Sequence, residues 1–165
     1  MSNAVWTNMD ARDRIYLIGF MGAGKTTRGK EISTLLGYGF VDIDDLVAEE
    51  AGMPIPEIFA KHGEAHFRAL EWKVLQRTLI LGRTVISTGG GTPEIPGAMH
   101  WMNRNGWTAY IKTSEEVLTD RLMKDHRPRP MLGEGRTLDT VEKIQTLFRR
   151  REPLYLQSRQ ILLNH

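Results

Sequence analysis

Residues Gly19 to Thr26, "GFMGAGKT", fit the spacing G-x-x-x-x-G-K-[ST]. Glycines at these positions let successive backbone N–H groups turn inward around a phosphate, and a helix starting at the end of the loop adds its positive N-terminal potential. In that setting Lys25 reaches the β and γ phosphates, and the Thr26 hydroxyl is placed to hold Mg²⁺. Gly22, Ala23, Gly24 and Thr27 complete the cradle. The chemistry implied is that of a nucleoside triphosphate, so the chain reads as an NTPase, a kinase or a nucleotide-gated binder. The plainer alternative is a tight strand-to-helix turn that carries a lysine by chance.

Phosphoryl transfer also needs an acceptor aligned with the γ-phosphate, and three more clusters have suitable residue types. In "DID", Asp42 and Asp44 stand two apart, which on a strand puts both carboxylates on one face. One can serve the metal while the other meets the acceptor; the competing reading is a helix N-cap with a solvated neighbour. "FRALE" places Glu71 three residues after Arg68 on an expected helix, where it can hold the guanidinium fork in place. Such a fork suits a carboxylate, because two parallel charge-assisted hydrogen bonds fix both distance and orientation. "VISTGGGTP" ends a β-branched run with Gly89, Gly90 and Gly91 in succession. Glycine costs conformational entropy and offers no side chain to pack, so the triplet implies a partner too close for a Cβ. A tight turn with Pro93 beginning a helix is the compatible alternative.

These clusters must be held by regular elements, and the hydrophobic periodicity supplies them. A strand is expected over Arg14 to Gly19, then a helix with Ile32, Leu35 and Leu36 turned inward. "FVDIDD" reads as a second strand and "LVAEEAG" as a helix ending at Gly52. More helix begins near Pro54, and "EAHFRALEWKVLQRTLI" carries Phe67, Leu70, Val74, Leu75 and Leu79 on one face. "TVISTGGG" is a third strand, Pro93 to Arg104 is helix-like, "WTAYIKTS" is a fourth strand and "EEVLTDRLMKD" an amphipathic helix. "HRPRPMLGEGRT" is a loop long enough to point to function or mobility. "TVEKIQTLFRRREPLYLQS" is the last long helix, and "QILLN" a fifth strand. Alternating strands and helices predict an α/β domain whose parallel sheet is covered on both faces.

The 165 residues allow one good core, expected over 14–165 as a single domain behind a loose tail at 1–13. A net charge of +2 gives no case for a polycationic, nucleic-acid-binding surface. The absence of cysteine excludes disulfide frameworks and thiolate metal sites and fits a reducing, cytoplasmic setting. Apolar runs fall far short of the roughly 20 residues of a membrane helix. The five histidines lack metal-ligand spacing and read as surface or supporting residues. Trp72, Trp101 and Trp107 read as packing residues, and Met21 as an ordinary loop position.

The motifs "GFMGAGKTT", "DID", "GEAHFRALE", "STGGGTP", "RPML" and "RREPLY" occur in the order and near the spacing of the shikimate kinases. The chain resembles that family from Ile15 to about Leu163. The resemblance implies a P-loop NTPase fold: a five-stranded parallel sheet with helices on both faces, a small acceptor-binding helical subdomain at about 44–72 and a mobile lid loop at about 125–137. It implies transfer of the γ-phosphoryl group of ATP to the 3-hydroxyl of shikimate with Mg²⁺, on the route to chorismate and aromatic amino acids. The partners implied are ATP and shikimate alone, with no nucleic acid or membrane, for a cytoplasmic monomer.

Carried over position by position, the resemblance gives Lys25 and Thr26 to phosphate and Mg²⁺, and Asp42 to the metal through water. Asp44 would bind the acceptor hydroxyls and orient or deprotonate the attacking one, while Arg68 and Arg151 would grip the shikimate carboxylate. Gly89, Gly90 and Gly91 would offer backbone N–H groups between acceptor and γ-phosphate. Arg129 would reach the transferring phosphoryl group from the lid, with Arg127 as a helper, and Arg121 would stack on adenine. Lid closure would exclude water and so suppress hydrolysis of ATP. In the family the fifth strand leads into an adenine-contacting loop and a closing helix; this sequence ends at His165, about where that loop would begin. Two other functions fit the cradle: another small-molecule kinase, such as a gluconate kinase, and a non-catalytic nucleotide-dependent binder. Arg68, Arg151 and the triple glycine argue against the first, and Asp44 with the acceptor arginines against the second.

Overall fold

Four consecutive residues of the first strand, Ile15 to Ile18, are wholly buried although successive side chains on a strand point to opposite faces. Both faces of the sheet are therefore covered where this strand lies. The computed structural model describes residues 14–133 and 137–164. The expected tail at 1–13 and positions 134–136 of the expected lid lie outside the described residues. The elements are β1 (Arg14–Ile18), α1 (Lys25–Leu36), β2 (Gly39–Asp42), α2 (Ile43–Ala51), α3 (Ile55–Arg77), β3 (Thr84–Ser87), α4 (Ala98–Asn105), β4 (Trp107–Lys112), α5 (Glu115–Lys124), α6 (Leu138–Tyr155) and β5 (Gln160–Leu163). Short 3₁₀ turns lie at Thr78–Ile80, Thr92–Glu94 and Pro130–Leu132.

The five strands form one sheet in the order β2-β3-β1-β4-β5, with every neighbouring pair parallel. Ser87 of β3 pairs with Leu17 of β1 on one side and Asp42 of β2 on the other. Three strands thus end level, and the loops that follow them open at one edge of the sheet, where ligands of such sheets bind. Helix boundaries follow local chemistry: Gly37 and Gly52 close α1 and α2 in the left-handed conformation, and the Ser114 hydroxyl accepts from Val117 N at the start of α5.

Several expectations are corrected. β2 stops at Asp42 and α2 begins at Ile43, so Asp42 and Asp44 do not share a strand face. Asp42 caps the helix and Asp44 lies in its first turn; the capping hydrogen bond outweighed the β-rich look of "FVDID". Pro93 lies within a 3₁₀ turn, Thr92–Glu94, rather than starting a helix, and α4 waits until Ala98. Helix α3 starts at Ile55, as expected near Pro54, but is broken at Gly63 (φ 79°, ψ 174°). Leu35 is 56% and Leu79 43% exposed, so neither belongs to the core. Trp72, Trp101 and Trp107 are half-buried against the core, with the Trp101 ring edge-on to Tyr16 and Trp72 at 6.0 and 5.8 Å. Among the described residues no helix is long and apolar enough to cross a membrane, and no His, Cys, Asp and Glu cluster of three could hold a metal ion.

Candidate active site

The loop between β1 and α1 takes its shape from glycine. Gly22 and Gly24 have φ of +80° and +86°, values that L side chains rarely adopt. Lys25, the first residue of α1, has its side chain buried and donates from Nζ to the carbonyls of Gly19 (2.7 Å) and Phe20 (2.9 Å). Burial pushes the Lys25 ammonium down to about 8, with the Asp44 and Asp42 carboxylates opposing the shift. Thr26 Oγ1 donates to Asp42 Oδ2 at 2.8 Å, and Asp42 Oδ1 accepts from Asp44 N at 3.0 Å. One carboxylate therefore joins the start of α1 to the start of α2. Arg121 on α5 donates to Gly22 O at 3.1 Å, and Asn164 to Ala23 O at 2.8 Å, so the loop is held from its far side. Thr27 is exposed on α1.

Across the cavity stand two guanidinium groups, each with its own carboxylate. Arg68 Nη1 on α3 donates to the wholly buried Glu71 at 2.6 Å, and its Nε and Nη2 reach Glu64 Oε1 at 3.4 and 3.3 Å. Glu71 also accepts from the Thr92 hydroxyl. Arg151 on α6 is 1% exposed and donates from Nε to Glu94 Oε2 at 2.8 Å. Its Nη2 is also 2.8 Å from that oxygen but off the hydrogen-bonding direction, which leaves a buried donor without a hydrogen-bond partner among the described residues. A donor in that position suits an anion.

The triple glycine stands between these groups, and none of its members has positive φ. A Cβ on Gly91 would fall on Arg68 Nη2 and come within 2.8 Å of Arg151 Nη2. One on Gly89 would meet Glu71 Oε1 at 2.6 Å and Asp44 Oδ1 at 3.2 Å, and one on Gly90 would meet Met21 N at 3.1 Å. The close approach foreseen from the sequence is therefore present, with side chains of the protein itself as the crowding partners. Tyr155 donates to Gly90 O at 2.6 Å and ties the turn to α6.

Asp44, Arg68, the three glycines, Arg129 and Arg151 line one cavity of about 180 Å³, with Ile55, Phe59, Phe67 and Met131 as its apolar wall. Burial pushes the Asp44 carboxyl up to about 6, the Asp42 and Glu71 carboxylates adding to it and Lys25 opposing. The lid segment supplies Pro128 to Met131 to the same cavity. Arg129 donates to Asp125 Oδ2 at 2.6 Å with its side chain 20% exposed, whereas Arg127, on the same carboxylate, is 78% exposed and does not line the cavity. Hydrogen bonds from Arg127, with those from Arg129, hold Asp125 well below the usual carboxylate range. The structure thus brings the residues expected to bind the acceptor together with Arg129 around one cavity, with Lys25 coupled electrostatically to Asp44; Thr27 is exposed and Arg121 meets the loop at Gly22 O. Sequence reasoning missed Glu94, Thr92, Asp125 and the lining role of Met21. "TPE", directly after the glycines, was the available signal for Thr92 and Glu94.

Comparison with known proteins shows the family. The family described as "Shikimate kinase" matches residues 21–165. The chain belongs to the shikimate kinase family. The shikimate kinase of Aquifex aeolicus (strain VF5) is 43% identical over 142 residues, which cover 86% of this chain and 81% of that protein. The solved shikimate kinase of Bacteroides thetaiotaomicron superposes with a TM-score of 0.84 at 37% identity, covering 91% of this chain and 85% of that one. The Acinetobacter baumannii shikimate kinase, solved in complex with shikimate, gives a TM-score of 0.85 at 31% identity over 99% of this chain and 88% of that one. The five-stranded parallel sheet is the P-loop NTPase sheet of this kinase family.

Proposed function

We propose that this kinase transfers the γ-phosphoryl group of ATP to the 3-hydroxyl of shikimate, giving 3-phosphoshikimate and ADP. The observation that carries the reading is the convergence of Arg68 and Arg151 on Gly91 in the cavity that Asp44 also lines. Two guanidinium forks suit the carboxylate of a small hydroxy acid, and the apolar wall suits its ring. Asp44 accepts the proton of the attacking hydroxyl as the oxygen bonds to the γ-phosphorus and ADP departs with the bridging oxygen. A carboxyl raised to about 6 is ionised at neutral pH yet still basic enough for that task. Lys25 and Arg129 bear the charge that spreads over the phosphoryl oxygens.

Mg²⁺ fits the donor set at the start of α1: a Thr26 hydroxyl and an Asp42 carboxylate, hard oxygen ligands, beside a phosphate-sized loop. Thr26 would hold the ion directly and Asp42 through water, and when bound it supplies charge neutralisation at the β and γ phosphates. Arg121, beside Gly22, is assigned to the nucleotide side. The protein acts as a monomer with ATP and shikimate as its partners. The test is coupled ADP release from Mg·ATP with shikimate, with gluconate and with no acceptor. Shikimate-dependent turnover that vanishes in Asp44→Asn supports the reading; turnover with gluconate instead, or ATP hydrolysis indifferent to acceptor, overturns it.

A further inference from the structure

Glu94 ends the 3₁₀ turn that follows the triple glycine, and its backbone N–H donates to Gly91 O at 2.9 Å. Its carboxylate is clamped from two sides of α6: Oε1 accepts from Arg150 Nε at 2.7 Å and Oε2 from Arg151 Nε at 2.8 Å. Arg150 is exposed and Arg151 is not, so the outer arginine anchors the carboxylate that meets the inner one. A guanidinium presents five N–H donors in a rigid plane, and an acceptor fixed on one edge determines where the other edge points. With Nε and Nη2 both 2.8 Å from Glu94 Oε2, the Nη end of Arg151 borders the glycines: a Cβ on Gly90 would lie 3.6 Å from Nη1 and one on Gly91 2.8 Å from Nη2. Arg68 Nη2 reaches the same spot from the other side.

We propose that Glu94 is a positioning residue of the acceptor site, turning Arg151 so that the end of its fork is presented to the acceptor carboxylate. Glu94 thereby does for Arg151 what Glu71 does for Arg68. The proposal rests on the reading of shikimate as acceptor, and it differs from simple neutralisation of a buried charge in what it requires of residue 94. Positioning needs a hydrogen-bond acceptor oxygen at Nε; neutralisation needs a negative charge.

Two variants separate these roles. Glu94→Ala removes both oxygen and charge, and the KM for shikimate is expected to rise about tenfold or more, with a smaller change in kcat and an unmoved KM for ATP. Glu94→Gln keeps an oxygen for Nε without the charge, and the shikimate KM is expected within about threefold of the parent. The Arg151 Nε–H signal in ¹⁵N NMR of the free protein should be sharp and exchange-protected in the parent and in Glu94→Gln, and lost in Glu94→Ala. A shikimate KM unchanged in Glu94→Ala, a Gln variant as impaired as the Ala variant, or an Nε–H signal indifferent to both substitutions would overturn the proposal. Where Glu94→Ala does not fold, the Gln variant decides by KM and signal. A parent enzyme without shikimate turnover would instead overturn the functional reading, and the Nε–H signal would then decide the role of Glu94 by itself.

Discussion

The molecule contains two glycine loops at one edge of its sheet, and they use glycine for different physical reasons. In the loop after β1, Gly22 and Gly24 supply left-handed backbone, with nothing nearer to an added Cβ than 3.4 and 3.5 Å. In the turn after β3, φ is ordinary and the obstacle is crowding by Glu71, Arg68, Arg151 and Met21 N. The first loop is a backbone shape that receives phosphate; the second is a gap through which side chains from α3 and α6 meet. Substitutions in the two loops should therefore fail in different ways.

The largest effects should come from the charged groups on either side of the divide. Lys25→Ala is expected to lower kcat by about 10² to 10³-fold and Asp44→Asn by about 10² to 10⁴-fold, both with the fold retained. Steady-state kinetics with circular dichroism checks this, and turnover near the parent level in either variant would remove that residue from the mechanism. An acid raised from 3.8 to about 6 on folding binds its proton more tightly in the folded chain. Its ionisation therefore costs stability as pH rises through that window, and Asp44→Asn should melt at or above the parent temperature at pH 8.

Next in size is Gly91→Ala, which drives a methyl group into Arg68 and Arg151. Overpacking of this kind costs about 1 to 3 kcal/mol, and it should raise the KM for shikimate more than that for ATP. Equal losses for both substrates would mean that the two loops are not separate in function.

The pH profile sharpens the comparison further, because one limb comes from Lys25 at the end of the β1 loop and the other from Asp44, whose carboxylate lies beside the β3 turn. Turnover (kcat/KM for shikimate) should rise through about 6 as Asp44 ionises and fall through about 8 as Lys25 loses its proton. Asp44→Asn should abolish the acid limb of whatever activity is left and spare the alkaline one. The smallest effect is expected for Gly24→Ala, where φ of +86° imposes strain of about 1 to 2 kcal/mol. That loss should appear in thermal stability and in the KM for ATP, with the shikimate KM little changed.

Much of this site was legible in the sequence because its signals are local. The β1 loop carries its reason in consecutive residues, and Arg68 with Glu71 obeys helical spacing that the structure reproduces as a 2.6 Å contact. "DID" was misread in geometry because a single side chain, Asp42, decided between strand and helix by capping α2. The 3₁₀ turn at Pro93 was equally hidden, since proline fits the first turn of either helix type. Glu94 and Arg151 are 57 residues apart, so no spacing rule links them; only the packing of α6 against the turn does. The strand order β2-β3-β1-β4-β5 likewise depends on pairings between distant segments, which alternation of strands and helices does not specify.

The crowding around Gly91 also constrains how the pocket can change over generations. Arg68, Glu71 and Thr92 form one set of direct contacts and Glu94 with Arg151 another, and the two sets meet around Gly91, so replacing a member alters the value of its partners. Pairs within such a network typically deviate from additivity by about 0.5 to 3 kcal/mol. A route to a new acceptor through single exchanges would cross poorly folded or inactive intermediates, whereas the apolar wall of Ile55, Phe59 and Met131 offers hydrophobic packing, such as the Phe59 ring on Phe67 at 4.7 Å, in which volume-conserving exchanges are tolerated best. Variation in acceptor preference is therefore expected to enter through that wall, with the charged cluster changing only as a set.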